Sequence, residues 1–74
     1  MAEEKEKFKF YQVEGKAYRQ HFTSEIQSRR EYGKLKRAGL EDEEAFFVKL
    51  SGRNGLKEEW ILLDEIQIEE GYFE

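Results

Sequence analysis

The sequence contains no cysteine and no proline, and it has a single histidine, His21. Without cysteine there is neither a disulfide nor a thiolate ligand for a metal. A zinc site would need carboxylates for most of its ligands, whereas zinc in proteins is held mainly by histidine and cysteine. We therefore expect no metal and no cofactor. Dimerisation is the remaining common way to stabilise so small a core, and the sequence leaves open whether the chain is a homodimer or a monomer.

Long apolar runs are also missing. The longest, residues 60–63, has four members, whereas a helix that spans a bilayer needs about 20. Residues 1–7 are charged and no apolar stretch follows them, a pattern unlike that of a signal peptide or a membrane anchor. We expect a cytoplasmic protein without membrane contact, in which a flexible N-terminus, residues 1–7, precedes a single domain over residues 8–74.

Charged and aromatic residues dominate what is present. Charged residues make up 41% of the chain and hydrophobic residues 38%, a balance that by itself favours disorder. Six Phe, four Tyr and one Trp favour folding instead, because each aromatic side chain buries a large apolar area. We expect a folded domain with a charged surface and with Trp60 as the main aromatic residue of its core.

Two segments show the alternation that is typical of β-hairpins. Residues 8–22 alternate apolar and polar side chains around a turn at 14–16, and a change of parity after Phe10 predicts a bulge near residue 10 or 11. Residues 45–70 alternate in the same way around the turn sequence at 52–55. The acids at 64 and 65 interrupt the apolar face of the last strand, which predicts a bulge or a turn there.

The segment between the hairpins, residues 24–38, has the features of a helix. Ser24 and Gln27 fit a capping box at its start, and Gly39 followed by Leu40 fits a helix end. Gly33 weakens the helix interior, so an end at Gly33 is the alternative. Three residues lie on the side opposite the basic residues and are expected to face a sheet: Tyr32, Leu35 and Ala38.

These elements predict an α+β fold of order ββαββ, a small antiparallel sheet with one helix packed on it. A small all-β barrel is the alternative if residues 24–38 are not helical. Residues 41–50 fit either a strand or a helix. We favour a strand because Phe46, Phe47 and Val48 are aromatic or β-branched.

Groups that would carry catalysis are scarce. His21 is the only side chain of the usual kind for a base near neutral pH, and its alternation with Arg19 on the predicted strand indicates an exposed face. The acidic run 41–44 lacks the spacing of an EF-hand loop, and the glycines at 52 and 55 lack the ending of a phosphate-binding loop. We predict no catalytic residues and expect that the chain is not an enzyme.

Charge is distributed unevenly along the chain. Residues 1–39 hold ten Lys and Arg against six acids, and residues 40–74 hold three against eleven, so that a net charge of +4 is followed by one of −8. Such asymmetry suggests an electrostatic interaction surface. The alternative is that folding interleaves the two halves so that their charges neutralise each other on the surface.

The acidic half predicts a partner-binding surface. Its members are Glu41, Asp42, Glu43, Glu44, Glu58, Glu59, Asp64, Glu65, Glu69 and Glu70. A run of carboxylates attracts a protein with a basic surface, and it resembles the negative charge of DNA that a DNA- or RNA-binding protein normally holds. We therefore expect a small inhibitor or adaptor that engages a basic partner. One version of this hypothesis is that the chain imitates DNA and occludes the site of a nucleic-acid-binding protein. Its size and lack of catalytic groups suit a phage or mobile-element protein that modulates a host.

The basic half supplies the alternative function. One arc of the predicted helix carries Arg29, Arg30, Lys34 and Arg37. Such a face would bind phosphates and make the chain a nucleic-acid-binding protein. An isoelectric point near 5.1 argues against direct binding of nucleic acid, since the acidic half would repel the same polyanion.

Overall fold

Residues 8–73 are described by a computed structural model with four strands and one helix. The predicted flexible segment 1–7 lies outside these residues. Along the chain the elements are β1 (Phe10–Gly15), β2 (Tyr18–Phe22), α1 (Glu25–Asp42), β3 (Phe46–Arg53) and β4 (Ile61–Ile68). The predicted α+β fold of order ββαββ is confirmed, and the all-β barrel is wrong. The strand favoured for residues 41–50 is confirmed for 46–50 and is wrong for 41 and 42, which belong to α1.

The four strands form one antiparallel sheet in the order β2-β1-β3-β4. The two hairpins therefore meet through their first strands, and β2 and β4 are the edges. The helix packs on β3, β1 and β2 and leaves β4 largely uncovered. This arrangement leaves one edge strand, with the charges around it, outside the layer that the helix protects.

The helix and the sheet enclose the core between them. Its buried members are Val13, Tyr32, Val48 and Leu50. The face of the sheet that carries these strand residues is called the helix side, and the opposite face the open side. Tyr18 and Phe22 pack toward the core, while Arg19 and His21 are exposed, as the alternation of β2 predicted.

The helix begins as the capping pattern predicted but ends later. The hydroxyl of Ser24 accepts a hydrogen bond from the backbone N–H of Gln27, with 3.3 Å between N and O. The predicted end at Gly39 is wrong, as is the earlier end at Gly33, because the helix continues to Asp42. The left-handed residue that closes it is Glu43, with φ 58° and ψ 39°.

Gly39 allows the helix to pack closely on the sheet. A Cβ atom at this position would lie 2.5 Å from the ring of Phe46, so the absent side chain lets the helix approach the sheet closely. The packed stripe therefore continues from Tyr32 and Leu35 to Gly39. The prediction that Ala38 faces the sheet is wrong, since this residue is exposed.

We expect Ser24→Ala to lower the free energy of unfolding by about 1 kcal/mol, because the N–H group of Gln27 loses its acceptor. Urea unfolding followed by circular dichroism measures the change. Thr23→Ala is the matched control, since Thr23 is exposed and precedes the cap. Equal stabilities of the two variants would contradict this capping role.

The irregularity of the sheet lies in the second hairpin. The β1 pairings with β2 and β3 show no register shift, so the bulge predicted near residue 10 or 11 is wrong. The shift occurs between Leu50, which pairs with Asp64, and Ser51, which pairs with Leu62. One extra residue of β4 therefore lies at this step, which confirms the bulge predicted beside Asp64. The alternative of a turn there is wrong, because the strand continues through residues 64 and 65.

Candidate binding surfaces

The edge strand β4 exposes most of its residues. Within residues 8–73, β4 pairs with β3 on one side and with no strand on the other. Five of its eight residues are exposed: Ile61, Leu62, Asp64, Glu65 and Gln67. Backbone N–H and C=O groups along the free side of such a strand are available to a partner.

Six of the ten predicted acidic residues are distributed along this strand. They are Glu58 and Glu59 just before it, Asp64 and Glu65 within it, and Glu69 and Glu70 just after it, and all are exposed. We call these six residues the acidic edge. Asp64 pairs with Leu50 on the helix side and Glu65 with Lys49 on the open side, so negative charge is present on both sides of the sheet.

The other four acids close the end of the helix. Glu41 and Asp42 lie in its last turn, and Glu43 and Glu44 follow in the connection to β3. Glu43 and Glu44 line a shallow cleft together with Glu70. The structure therefore brings the run 41–44 next to the far end of the acidic edge, although β3 and β4 separate the two in the sequence.

Some of these carboxylates already have partners within the chain. Asp64 accepts a hydrogen bond from the hydroxyl of Tyr32. Oε1 of Glu58 lies 3.4 Å from the backbone N of Asn54, and Oε2 of Glu69 lies 3.4 Å from Nε2 of Gln67. By contrast, no hydrogen bond or ion pair with another described residue engages the carboxylates of Glu59, Glu65 and Glu70. These three are the clearest probes of an external contact.

The acids also affect a core tyrosine. The pKa of Tyr32 is raised from 10.0 to about 12, first by burial, then by the charge and hydrogen bond of Asp64 and by the charge of Glu65, while Arg29 opposes the rise. Tyr18 on β2 behaves similarly. Burial, a hydrogen bond to Glu31 and the charge of that carboxylate raise its pKa to about 12.

The basic residues of the helix lie on a different surface. Arg29, Arg30, Lys34 and Arg37 are exposed on the side of α1 that faces away from the sheet. Nε of Arg29 lies 3.0 Å from Oε2 of Glu25, one helical turn earlier. For the other three, no ion pair occurs among the described residues. Because α1 covers β1 to β3 and the acidic edge follows β4, the two sets of charge occupy separate parts of the surface.

Trp60 lies outside the core cluster, and its prediction as the main core aromatic is wrong. Its indole stacks on the ring of His21, with 5.7 Å between centroids and 5° between planes. The guanidinium carbon of Arg53 lies 4.2 Å from the indole centroid. Since His21 pairs with Gln12 and Gln12 with Ser51, these contacts place Trp60 over the open side of the sheet.

Polar side chains lie on the sheet beneath the stacked rings of Trp60 and His21. Gln12 and Ser51 are each 8% exposed, and Oε1 of Gln12 lies 2.9 Å from Nε2 of His21. Both line a shallow cleft of about 430 Å³ with Trp60, Arg19 and Lys49. The alternation of Arg19 and His21 indicated this side of β2. Nothing in the sequence placed Trp60 against it, because that contact depends on the path of loop 54–60.

The chemistry of the open side gives no sign of a catalytic group. His21 is engaged by an amide and an indole, and neither group activates an imidazole as an acidic partner does. Among residues 8–73, no cluster of three or more His, Asp or Glu side chains is placed to hold a metal ion. That no residue is catalytic stays a prediction.

No helix in the described range is long and apolar enough to cross a membrane. Comparison with protein-family models, curated proteins and solved structures found no match to this chain. What can be said of function therefore rests on its own surfaces, the acidic edge above all.

Proposed function

We propose that the chain is a small non-catalytic protein-binding module, an inhibitor or adaptor, that engages a basic partner through the acidic edge and the adjoining run 41–44. One observation carries the proposal: six exposed acids follow β4, an edge strand that pairs with no further strand of residues 8–73 and that the helix leaves largely uncovered. Complementary charge of this kind accelerates association and selects partners of opposite sign. A basic surface of a DNA- or RNA-binding protein is the natural counterpart.

The spacing of the charges limits the length of DNA that the acidic edge can imitate. Residues 58–70 span at most about 40 Å, so the acidic edge offers one charge in about 7 Å, whereas duplex DNA offers one in about 1.7 Å. The edge is therefore too dilute to replace a long stretch of duplex. It suits a short basic site, with the highest density where Glu43, Glu44 and Glu70 line one cleft. Occlusion of a nucleic-acid site at that end is the form of inhibition we propose.

Three matched variants test the contact. The edge variant carries Glu59→Gln, Glu65→Gln and Glu70→Gln, which spares the carboxylates that have partners within the chain. The tail variant carries Glu3→Gln, Glu4→Gln and Glu6→Gln, which changes the net charge equally and lies outside the described residues. The helix variant carries Arg30→Gln, Lys34→Gln and Arg37→Gln. Wild type captures the partner from a nuclease-treated lysate, and the purified partner is then titrated with all four proteins.

We expect the edge variant to bind at least tenfold more weakly than wild type, since three charge contacts of about 0.5 kcal/mol each correspond to that ratio. The tail and helix variants should bind within about twofold of wild type. The purified partner should release bound DNA or RNA when wild type is added. Unchanged binding by the edge variant would refute the acidic contact, and loss confined to the helix variant would move the contact to α1.

A second candidate function is nucleic-acid binding through the outer side of α1. It is favoured by the exposure of Arg30, Lys34 and Arg37 without an ion-pair partner among the described residues. Such a face would give a mobility shift with mixed DNA and RNA at low salt, and the helix variant would lose it. The acidic-edge proposal predicts no shift for wild type.

The remaining expectations belong to the same proposal. A cytoplasmic location and an origin in a phage or mobile element fit a small host-modulating inhibitor. Homodimerisation also stays a prediction, and sedimentation velocity over a range of concentrations tests it.

A further inference from the structure

The acidic edge coincides with the longer free edge of the sheet. β4 has eight residues, and the other edge strand, β2, has five. A strand edge binds by accepting another strand, whose backbone supplies hydrogen bonds while alternate side chains supply specificity. Charge attraction alone would need no such edge, so the position of the acids on β4 bears on the way in which a partner is held.

The centre of β4 discourages pairing with a second copy of itself. Asp64 and Glu65 lie in the middle of the strand, so two β4 strands paired antiparallel about that point would bring like charges together, which destabilises a sheet. The register shift opposite Leu50 and Ser51 adds an irregularity beside them. Both features hinder the pairing of an edge strand with the same strand of a second copy. A strand with basic residues at the same place would gain attraction from them.

The side-chain pattern of β4 defines the segment that fits. On the helix side, Ile66 is half-buried and Ile68 is buried, and the helix packs mainly on the other three strands. Asp64 lies on the same side and Glu65 on the opposite one. Consecutive residues of an added strand also point to opposite sides, so two adjacent basic residues place one cation beside each acid. Apolar residues at alternate positions would then continue the surface of Ile66 and Ile68.

We propose that the partner contributes an extended segment, with two adjacent basic residues and alternating apolar side chains, that adds to β4 as a fifth strand. This inference rests on the proposed function, because it specifies how the same acidic edge holds a basic protein. Strand addition requires a row of backbone hydrogen bonds between the segment and residues 64–68. A contact through side-chain charge alone requires no such bonds.

A synthetic peptide tests this requirement with the full chain. The probe is acetyl-Val-Thr-Val-Lys-Arg-Thr-amide, which places lysine beside Glu65 and arginine beside Asp64 when it runs antiparallel to β4. Two further peptides carry N-methyl groups at alternate residues, one set on each edge of the strand. All three have the same charge, and they are titrated into isotope-labelled protein while backbone amide shifts are recorded.

We expect the parent peptide to shift the amides of residues 64–68 most strongly. One methylated peptide should bind at least tenfold more weakly and the other within about twofold, since only one edge of the added strand faces β4. Equal binding by all three peptides, or no shift with the parent peptide, would overturn strand addition. Neither result would affect the acidic contact itself, which fails separately if the edge variant still binds the captured partner as wild type does.

Discussion

Leu50→Ala is expected to remove about a third to two thirds of the stability of the domain. Leu50 is 0% exposed and lies in the middle of β3, between β1 and β4 and under the helix. Truncation of a buried leucine costs about 2–5 kcal/mol, because transfer energy is lost and a cavity remains. At about 0.1 kcal/mol per residue, a chain of 74 residues has a total stability of roughly 7 kcal/mol. The variant should therefore unfold at a much lower urea concentration.

The same substitution at Leu56 provides the control. Leu56 lies in the loop between β3 and β4 and is 73% exposed, so Leu56→Ala should change the free energy of unfolding by less than about 0.5 kcal/mol. Urea titrations followed by circular dichroism give both values. If the two variants lost similar stability, the core would not lie where the sheet and helix enclose Leu50.

The elements of this fold could be predicted because their signals are local. Alternation in the two hairpins, the cap at Ser24 and the aromatic start of β3 depend on neighbours within a few residues. The structure confirms the strands, the cap and the start of β3, although β1 and β3 continue into the predicted turns, to Gly15 and Arg53. The end of the helix was predicted wrongly, because a glycine can either end a helix or let it pack closely on a neighbour. At Gly39 the small side chain admits the ring of Phe46, and this close approach is a tertiary contact that no local pattern indicates.

The last strand shows how one extra residue changes which side of the sheet a side chain faces. In a regular strand Leu62 and Ile66 would lie on the same side. The acids at 64 and 65 predicted a bulge or a turn, and the register shift between Asp64 and Leu62 confirms the bulge. Leu62 then pairs with Ser51 on the open side, and Ile66 pairs with Val48 in the core. Trp60 precedes β4, and its contact with His21 on the open side depends on the path of loop 54–60.

The residues of the candidate site could be predicted from the sequence, but their arrangement in space could not. Composition identified the acidic residues, because charge is counted directly from the sequence. Their convergence depends on strand order. If β4 had paired on both sides, the same acids would be spread across the middle of the sheet. The order β2-β1-β3-β4 makes β4 an edge, and the connection after α1 brings Glu43 and Glu44 to the side of Glu70.

Alkaline pH is expected to destabilise the fold through Tyr32. Burial and the nearby carboxylates of Asp64 and Glu65 raise its folded-state pKa to about 12 from the ordinary 10.0. The folded protein therefore holds the phenolic proton more tightly than the unfolded chain does. This stabilisation is fully present below pH 10 and is lost as the pH rises from about 10 to about 12. Since one pKa step is worth about 1.4 kcal/mol, the loss is at most about 3 kcal/mol, and screening of the exposed carboxylates by solvent reduces it.

Tyr32→Phe isolates this contribution. The variant lacks the titrating group, so its free energy of unfolding should fall less steeply than that of wild type between pH 9 and pH 12. Near pH 7 the variant loses one hydrogen bond to Asp64, at a cost of about 1 kcal/mol, which separates a static effect from the pH-dependent one. Tyr72→Phe is the control, because Tyr72 is 64% exposed and lies outside the core cluster. Parallel pH profiles for wild type and Tyr32→Phe would show that the acidic edge does not act on the core, and its charges would then be available to a partner at no cost to the fold.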